Sequence, residues 1–168
     1  MTITRSLNRQ VSTVPTTEDG TPNLDSIRSN EPFTNAEFLS ADGDYTLQQA
    51  YAYDRYTRTI YKYSNFTIDL SGQNLWTPLH KGLSKSYVKL SVDWISHNIY
   101  WTDPEYKWIM VQSLLGNDTS MYCVLIHDNL HGPHGLALDP IEAPTCELTG
   151  VHSAFEAKVY KALALTDH

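Results

Sequence analysis

Three histidines near the C-terminal third of the chain are the first residues whose chemistry needs an account. His127, His131 and His134 lie close together and invite a zinc site, because imidazole nitrogens are common zinc ligands. Such a site needs ligands that converge, usually with a cysteine or acidic partner. Gly132 and Pro133 bend the chain between the histidines, which favours an ordinary loop. We therefore predict no metal site and no cofactor.

Two carboxylates, Asp93 and Asp103, could form a pair for acid–base catalysis. A carboxylate beside a strand end can instead accept hydrogen bonds from backbone N–H groups that a sheet leaves unpaired, and this structural role is favoured here. Ser113 and Ser120 have no placed base. The chain also has no glycine-rich phosphate loop, no nucleophile elbow and no His-Glu-x-x-His motif. The sequence thus favours a non-catalytic protein.

A repeated pattern positions these carboxylates. Val92-Asp93-Trp94 precedes Ile99-Tyr100 by the spacing that separates Tyr53-Asp54-Arg55 from Ile60-Tyr61, at an offset of 39 residues. A further aspartate, Asp139, follows Asp93 by 46 residues. A period near 40 residues with strand-like content is typical of stacked β units, most often propeller blades.

One period contains four predicted strands. Val88, Leu90 and Val92 alternate with polar residues, as in a half-buried strand. A second strand follows at 99–102, a third within 108–115 before the turn at Gly116, and a fourth at 124–126. A four-stranded sheet cannot bury both of its faces alone, so each unit needs a neighbour on either side.

Residues 99–139 resemble the YWTD repeat, the class B repeat of the low-density lipoprotein receptor family. The resemblance rests on Tyr100-Trp101-Thr102-Asp103, on the Gly116 turn, and on the run Leu130-x-x-Pro133-x-Gly135-Leu136-Ala137-Leu138-Asp139. In the preceding period the motif is expected at Tyr61-Lys62-Tyr63-Ser64, where only the leading aromatic residue is kept. That departure leaves the turn bonding of the first unit open.

The resemblance implies an all-β fold, part of a six-bladed propeller with about two blades over residues 44–140. It gives Asp103 the role of tying a blade to its neighbour. Two blades cannot close a ring, so the chain is expected to be a fragment, or a diverged end of a propeller, with the remaining blades as partners. The residues expected to hold the repeat are Tyr100, Trp101, Thr102, Asp103, Asp54, Asp93, Asp139, Gly116, Pro133 and Gly135.

The two ends of the chain lie outside this pattern. Residues 1–43 are polar and aperiodic, so a disordered N-terminal segment is predicted. Residues 141–168 are predicted to be a tail with a short amphipathic helix, because Val151, Phe155, Val159 and Leu163 recur at helical spacing.

Charge and hydropathy limit the partners and the location. The net charge is −7 and the sequence has no Lys/Arg cluster, which argues against nucleic acid. No apolar run of about 18 residues is long enough to span a bilayer. Residues 1–10 lack the apolar core of a secretion signal, whereas relatives of this family are secreted or membrane-anchored. Loss of the true N-terminus would resolve this conflict; an intracellular propeller is the alternative.

Cysteines and glycosylation sequons bear on the same question. Cys123 and Cys146, 23 residues apart, permit one disulfide, but free thiols are favoured because pairing cannot be deduced from sequence alone. Asn65-Phe66-Thr67 and Asn117-Asp118-Thr119 are possible glycosylation sites, and chance matches are the alternative. The Asn117 sequon lies in a predicted turn, which is the more accessible of the two positions.

Two aromatic residues are candidate ligand contacts. Core packing is the default for large aromatic residues at strand positions, but Trp94 and Trp108 could lie near the open face of the ring, where such propellers bind partners. We predict a non-catalytic extracellular module of an endocytic or signalling receptor that binds a protein or lipoprotein ligand. The alternatives are a basement-membrane structural propeller and a lactonase-like enzyme. The enzyme would need a calcium ion ringed by Asp, Asn and Glu, and only Asp54, Asp93 and Asp139 recur.

Overall fold

The structure is a computed structural model that describes residues 3–7, 10–14, 17–26, 28–30, 36–64, 76–115, 122–127 and 130–138. Within these ranges the chain forms β-strands and one short 3-10 helix, Leu24–Ser26. The strands are β1 (Ile3–Leu7), β2 (Gln10–Val14), β3 (Arg28–Asn30), β4 (Phe38–Asp44), β5 (Gln49–Asp54), β6 (Thr59–Ser64), β7 (Trp76–Lys81), β8 (Lys89–Asp93), β9 (Asn98–Asp103), β10 (Trp108–Ser113) and β11 (Tyr122–Ile126).

Two four-stranded antiparallel sheets form the main body of the described chain. Strands β4 to β7 make the first blade and β8 to β11 make the second. Each strand pairs with the next one along the chain, so both sheets are meanders whose first strand, β4 or β8, lies at an edge. The prediction of four strands per repeat unit is confirmed, with β8, β9, β10 and β11 at the expected places.

The N-terminal segment also contains strands, so the prediction that residues 1–43 are disordered is wrong. β1, β2 and β3 form a three-stranded antiparallel sheet, and β1 packs against β4 much as β4 packs against β8. The boundary at residue 44 is wrong as well, because β4 begins at Phe38. The run Ala41-Asp42-Gly43-Asp44 is poor in residues that favour strands, which concealed β4 in the sequence.

The two blades are related by an offset of 49 residues, not 39. Asp44 ends β4 as Asp93 ends β8, and Asp54 ends β5 as Asp103 ends β9. Each blade therefore has two equivalent aspartates 10 residues apart, and the predicted offset matched the second aspartate of one blade to the first of the other. The counterpart of Tyr100-Trp101-Thr102-Asp103 is Tyr51-Ala52-Tyr53-Asp54, so the predicted match at 61–64 is wrong.

The larger of the two hydrophobic cores lies between the blades. The first blade contributes Tyr51, Tyr53, Ile60 and Leu79, while the second contributes Leu90, Val92, Ile99, Trp101 and Met110. A second cluster lies on the opposite face of the first blade, where Ala50 and Ala52 point away from Tyr51 and Tyr53 along β5. The blades thus cover one another's faces, as expected for units that cannot be stable alone.

Several predicted features lie outside the described residues: Asp139, Gly116, Asn65, Asn117, Cys146 and the helix expected at 151–165. Pro133 is buried and Gly135 is half-buried in an irregular stretch, and no strand is formed over Leu136–Leu138. In the described part of the chain, no helix has the length and apolar character needed to cross a membrane.

Candidate functional site

Four hairpin turns share one design, in which the last residue of a strand is an aspartate that caps the turn. The carboxylate accepts hydrogen bonds from the backbone N–H groups two and three residues further on, which the sheet cannot pair. Asp44, Asp54, Asp93 and Asp103 all do this, and all four are buried. The N···O distances are 2.9 and 3.0 Å at Asp44, 3.1 and 3.2 Å at Asp54, 2.9 and 3.1 Å at Asp93, and 3.2 and 3.3 Å at Asp103.

The same turns share a left-handed residue just before the next strand. Gln48, Arg58, His97 and Lys107 have φ values of 53°, 55°, 54° and 58°, although none is glycine. This conformation costs a residue with a Cβ atom roughly 1 kcal/mol, so the aspartate caps have to offset it. Because the strained residue and the aspartate cap occur together in all four turns, we infer that the carboxylates fix the conformation of these turns.

Side chains of the first blade accept hydrogen bonds from backbone N–H groups at the edge of the second blade. Because β8 is an edge strand, its outward N–H groups have no strand partner. The Leu90 N–H donates to Ser40 Oγ at 3.0 Å, and the Val92 N–H donates to Asp42 Oδ2 at 2.8 Å. Burial raises the pKa of Asp42 above its ordinary value, although its carboxylate accepts hydrogen bonds from the Val92 and Gly43 N–H groups. The inter-blade contact is therefore polar along β4 and β8 and apolar behind them.

A histidine extends this row of contacts. His97 Nδ1 lies 2.6 Å from Asp44 Oδ2, across the boundary between the blades. Burial by itself raises the pKa of Asp44, but the hydrogen bonds from His97, Thr46 and the Leu47 N–H outweigh it and hold that pKa below its ordinary value. Ser40, Asp42 and Asp44 thus each contact the second blade at alternate positions of β4.

Asp103 bonds to the segment that joins the two blades. Its Oδ2 accepts from the Ser84 N–H at 2.9 Å and its Oδ1 from the Ser84 hydroxyl at 2.5 Å. The Tyr53 hydroxyl of the first blade donates to the Ser84 carbonyl oxygen. Burial first, and then the nearby Asp103 and Asp54 charges, raise the pKa of Tyr53 and keep its hydroxyl protonated. Thr102 adds a bond, since its hydroxyl accepts from the Lys89 N–H at 3.3 Å.

The four residues of the YWTD-like motif in the second blade are entirely interior. Tyr100, Trp101, Thr102 and Asp103 are at most 1% exposed. Trp101 packs against the ring of His80 from the first blade, with ring centroids 4.7 Å apart. Burial, followed by the nearby Asp93 charge, raises the pKa of Tyr100 to about 12. These side chains therefore build the scaffold and do not contact a ligand directly.

In the second blade, the aspartate equivalent to Asp44 has one carboxylate oxygen that accepts no hydrogen bond from the described residues. Asp93 Oδ1 caps its turn, but Asp93 Oδ2 is buried and has no hydrogen-bond partner among the described residues. In the first blade the equivalent oxygen faces His97 of the following blade. The second blade thus repeats the carboxylate that the first blade uses to contact the following blade.

The hairpin topology places the loops at two opposite ends of the blades, which differ in chemistry. The end formed by the β4–β5 and β8–β9 turns, here the neutral end, exposes Tyr45, Trp94 and Ile95. The opposite end carries the β5–β6 turn, the β7–β8 segment and the β9–β10 turn. We name this the tyrosine–cation end after its exposed residues Tyr56, Arg58, Lys81, Lys85, Tyr87, Lys89, Tyr106 and Lys107.

The two predicted contact tryptophans do not share a surface. Trp94 is 49% exposed and belongs to the neutral end. Trp108 starts β10 at the tyrosine–cation end, is half-buried, and packs against Tyr106 with ring centroids 4.9 Å apart. A single partner that binds one end would therefore contact only one of them.

The cysteine and histidine candidates have separate outcomes. Cys123 is disulfide-bonded, so the expectation of a free thiol at this position is wrong; the chain's other cysteine, Cys146, lies outside the described residues. His127 follows β11, and His131 and His134 are exposed. Over the described ranges, no group of three His, Cys, Asp or Glu side chains is arranged to hold a metal ion.

Sequence reasoning missed several residues of the inter-blade contact and of the exposed loops. Ser40, Asp42, Ser84 and His97 belong to the contact, and their only signal in the sequence was proximity to the recurring aspartates. Asp44 was missed because the offset of 39 residues hid its equivalence with Asp93. The exposed tyrosines at 56, 87 and 106 follow from no period, since their positions are set by the loops.

The fold and these contacts define a class of protein: the two sheets are adjacent blades of a partial β-propeller. A crystal structure of a nidogen/laminin complex contains a chain that superimposes with a TM-score of 0.66 at 18% sequence identity. The match covers 84% of this chain and 50% of that chain, so this chain spans half the length of its structural neighbour. No family model matches the sequence.

Proposed function

We propose that the chain is a non-catalytic module that binds another protein through the loops at the ends of its blades. The observation that carries this proposal is the use of the recurring carboxylates. Asp44, Asp54, Asp93 and Asp103, the residues that acid–base chemistry would require, are buried and cap turns. The same turns expose large aromatic side chains, which are enriched in surfaces that bind proteins.

The proposed setting is extracellular, in a receptor related to the lipoprotein receptors. The disulfide at Cys123 supports an oxidising compartment. The YWTD-like motif and the sequons at Asn65 and Asn117 agree with that setting. Further blades, supplied by the parent protein, complete the propeller in this proposal, and Asp93 Oδ2 is the acceptor that a following blade would use.

A basement-membrane structural propeller is the second candidate. It is favoured by the structural neighbour, which comes from a complex of nidogen with laminin. The receptor and the structural propeller share the mechanism, rigid display of loops, and differ in the partner. A calcium-binding measurement and an esterase assay test the third candidate, a lactonase-like enzyme.

The experiment compares these candidates on one protein. For this experiment the chain is produced as a secreted protein in eukaryotic cells and immobilised on a sensor surface. Lipoprotein particles and a laminin fragment are then passed over it separately, and binding is measured by surface plasmon resonance. Saturable binding of lipoprotein supports the receptor, and saturable binding of laminin supports the structural propeller. Calcium-dependent esterase activity with no binding of either protein would overturn the proposal of a binding module.

A further inference from the structure

Three loops of the tyrosine–cation end are linked by hydrogen bonds into one continuous surface. The Gly82 and Leu83 N–H groups donate to the Arg58 carbonyl oxygen at 3.1 and 3.2 Å, which ties the β7–β8 segment to the β5–β6 turn. Ser84 in the same segment donates to Asp103, which caps the β9–β10 turn. A partner that contacts one of these loops therefore meets the other two in a fixed arrangement.

Each of these loops exposes one tyrosine. Tyr56 is 66% exposed, Tyr87 is 57% exposed and Tyr106 is 44% exposed. Tyrosine offers a large contact area, a hydroxyl for hydrogen bonding and little side-chain entropy to lose on binding, which is why it is enriched among the residues that dominate interfaces. Three exposed tyrosines on rigid, hydrogen-bonded loops are suitable anchors for a protein partner.

The same loops concentrate positive charge on an otherwise acidic chain. Arg58, Lys81, Lys85, Lys89 and Lys107 are exposed, and none of the five forms a salt bridge to any residue in the described ranges. A sixth cation, Arg55, forms a salt bridge with Glu37 at 2.9 Å. The β9–β10 turn also exposes one acidic residue, Glu105. The chain as a whole carries −7, so the sign of the charge is locally reversed at this end.

The two described turns of the opposite end expose no such charge. The exposed residues of the β4–β5 and β8–β9 turns are Tyr45, Thr46, Gln48, Trp94 and Ile95, none of which is ionisable near neutral pH. Among the described loops of the two blades, the exposed cations without a salt bridge therefore lie at the tyrosine–cation end.

We propose that the tyrosine–cation end binds an acidic segment of a partner protein, with the tyrosines as anchors and the cations as its electrostatic complement. This inference rests on the proposed function and specifies its partner. Carboxylate side chains would pair with Arg58, Lys85 and Lys107 while the tyrosine rings pack on the intervening backbone. A protein segment suits this surface better than a nucleic acid or a sulfated polysaccharide, because the net charge of −7 on the whole chain opposes the approach of a long polyanion.

The test uses the 168-residue chain and a fluorescently labelled synthetic peptide of glutamate, aspartate and glycine, with a glutamine/asparagine peptide of equal length as the neutral comparison. The double variant Lys85→Glu/Lys107→Glu reverses two charges at the proposed surface. Lys62→Glu, in the middle of β6 and away from both ends, is the control reversal, and Lys85→Glu alone is the variant with an equal change of charge. Thermal melting of each variant establishes that it is folded.

The acidic peptide should bind, and the double variant should weaken binding by about 10-fold or more while Lys62→Glu changes it about twofold or less. Tyr87→Ala should also weaken binding, and added salt should weaken it in the parent protein. Failure of the acidic peptide to bind, or equal effects of Lys62→Glu and the double variant, would overturn the inference. Tighter binding of heparin or a single-stranded oligonucleotide through the same lysines would overturn it in favour of a polyanion.

Failure of the inference about the tyrosine–cation end can be distinguished from failure of the proposed function. If the chain binds lipoprotein or laminin and the double variant binds it equally well, the module binds protein through another surface and the inference about the tyrosine–cation end is wrong. If neither protein is bound but the acidic peptide is held through Lys85 and Lys107, the surface is as inferred and the two named partners are wrong.

Discussion

The imidazole of His97 in the second blade lies 2.6 Å, from Nδ1 to Oδ2, from the carboxylate of Asp44 in the first blade. The other oxygen of Asp44 accepts from the N–H groups of Thr46 and Leu47. One buried carboxylate thus closes a hairpin in its own blade and holds the corresponding hairpin of the next blade. Turn formation and blade-to-blade contact therefore depend on the same ionisable group.

Acid should weaken this contact in a way that depends on His97. The pKa of Asp44 is held below its ordinary value of 3.8, so Asp44 stabilises the fold above that pH, and the contribution is lost as the pH falls through the folded-state pKa. In His97→Gln the pKa of Asp44 should be lowered less, because one of its hydrogen-bond partners is changed. Urea unfolding at a series of acid pH values should show a smaller acid-induced loss for this variant.

Asp42 provides an internal check on that experiment. Burial raises its pKa, so its contribution to stability changes with the opposite sign as the pH falls. Asp42 is present in the parent and in His97→Gln, and its contribution cancels in the difference between their curves. Parallel curves for the two proteins would show that His97 does not influence Asp44.

Removal of the Asp103 carboxylate should destabilise the protein strongly. Asp103→Ala leaves the N–H groups of Ser84, Glu105 and Tyr106 without their acceptor, and we expect a loss of about 3 kcal/mol in the free energy of unfolding. Chemical denaturation measures the loss, and the exposed neighbour change Glu105→Ala serves as the control. Equal midpoints for the two variants would contradict the capping role.

Glycine at a left-handed turn position should stabilise the fold. Lys107 has a φ of 58°, which is strained for any residue with a Cβ atom. We expect Lys107→Gly to raise the free energy of unfolding by about 0.5–1 kcal/mol, and Lys89→Gly, within strand β8, to lower it by a similar amount. Differential scanning calorimetry distinguishes the two, and a lower melting temperature for Lys107→Gly would refute the assignment.

The two tryptophans of the β8–β9 hairpin, Trp94 in its turn and Trp101 in β9, should differ in their contribution to stability. Trp101 is 1% exposed and packs in the inter-blade core, whereas Trp94 is 49% exposed. Trp101→Ala should cost about 3–5 kcal/mol, and Trp94→Ala less than about 1 kcal/mol. Equilibrium urea unfolding followed by circular dichroism gives both values. Similar midpoints would mean that Trp101 does not lie between the blades.

Reduction of the disulfide should lower stability without changing the blade contacts. Cys123 lies on β11, the strand furthest from the inter-blade edge in the second blade. A reducing agent should cost about 2–4 kcal/mol, the usual contribution of a native cross-link. Melting with and without reductant measures it, and Cys123→Ser should melt like the reduced parent. A Cys123→Ser variant that melts like the oxidised parent would contradict a stabilising cross-link.

Sequence patterns predicted the strands of the second blade because its residues alternate strongly. Leu90 and Val92 are buried and Lys89 is exposed, as their alternation indicates. β4 escaped prediction because Asp42, Gly43 and Asp44 replace the apolar residues of a typical strand. Their places are explained only by the second blade, which receives Asp42 as a hydrogen-bond acceptor.

The candidate site was harder to predict because its contacts join residues far apart in the chain. Ser40 and Leu90 are bonded across 50 positions, and no local pattern links a serine hydroxyl to that distant N–H. The register error has a similar origin: two capped turns per blade look alike at the level of residue types. Only the strand pairing distinguishes the turn after β4 from the turn after β5.

The bonds from Ser40 and Asp42 to β8 run in one direction, from a blade to the blade that follows it. A piece of the protein that began at β8 would leave the Leu90 and Val92 N–H groups open, ready to recruit a strand from another molecule and so to nucleate aggregates. A piece that stopped after β7 would keep the acceptors Ser40 and Asp42 and would lose only β8, whose N–H groups they bind. Truncation from the two termini should therefore be tolerated unequally, with N-terminal trimming the more damaging to solubility.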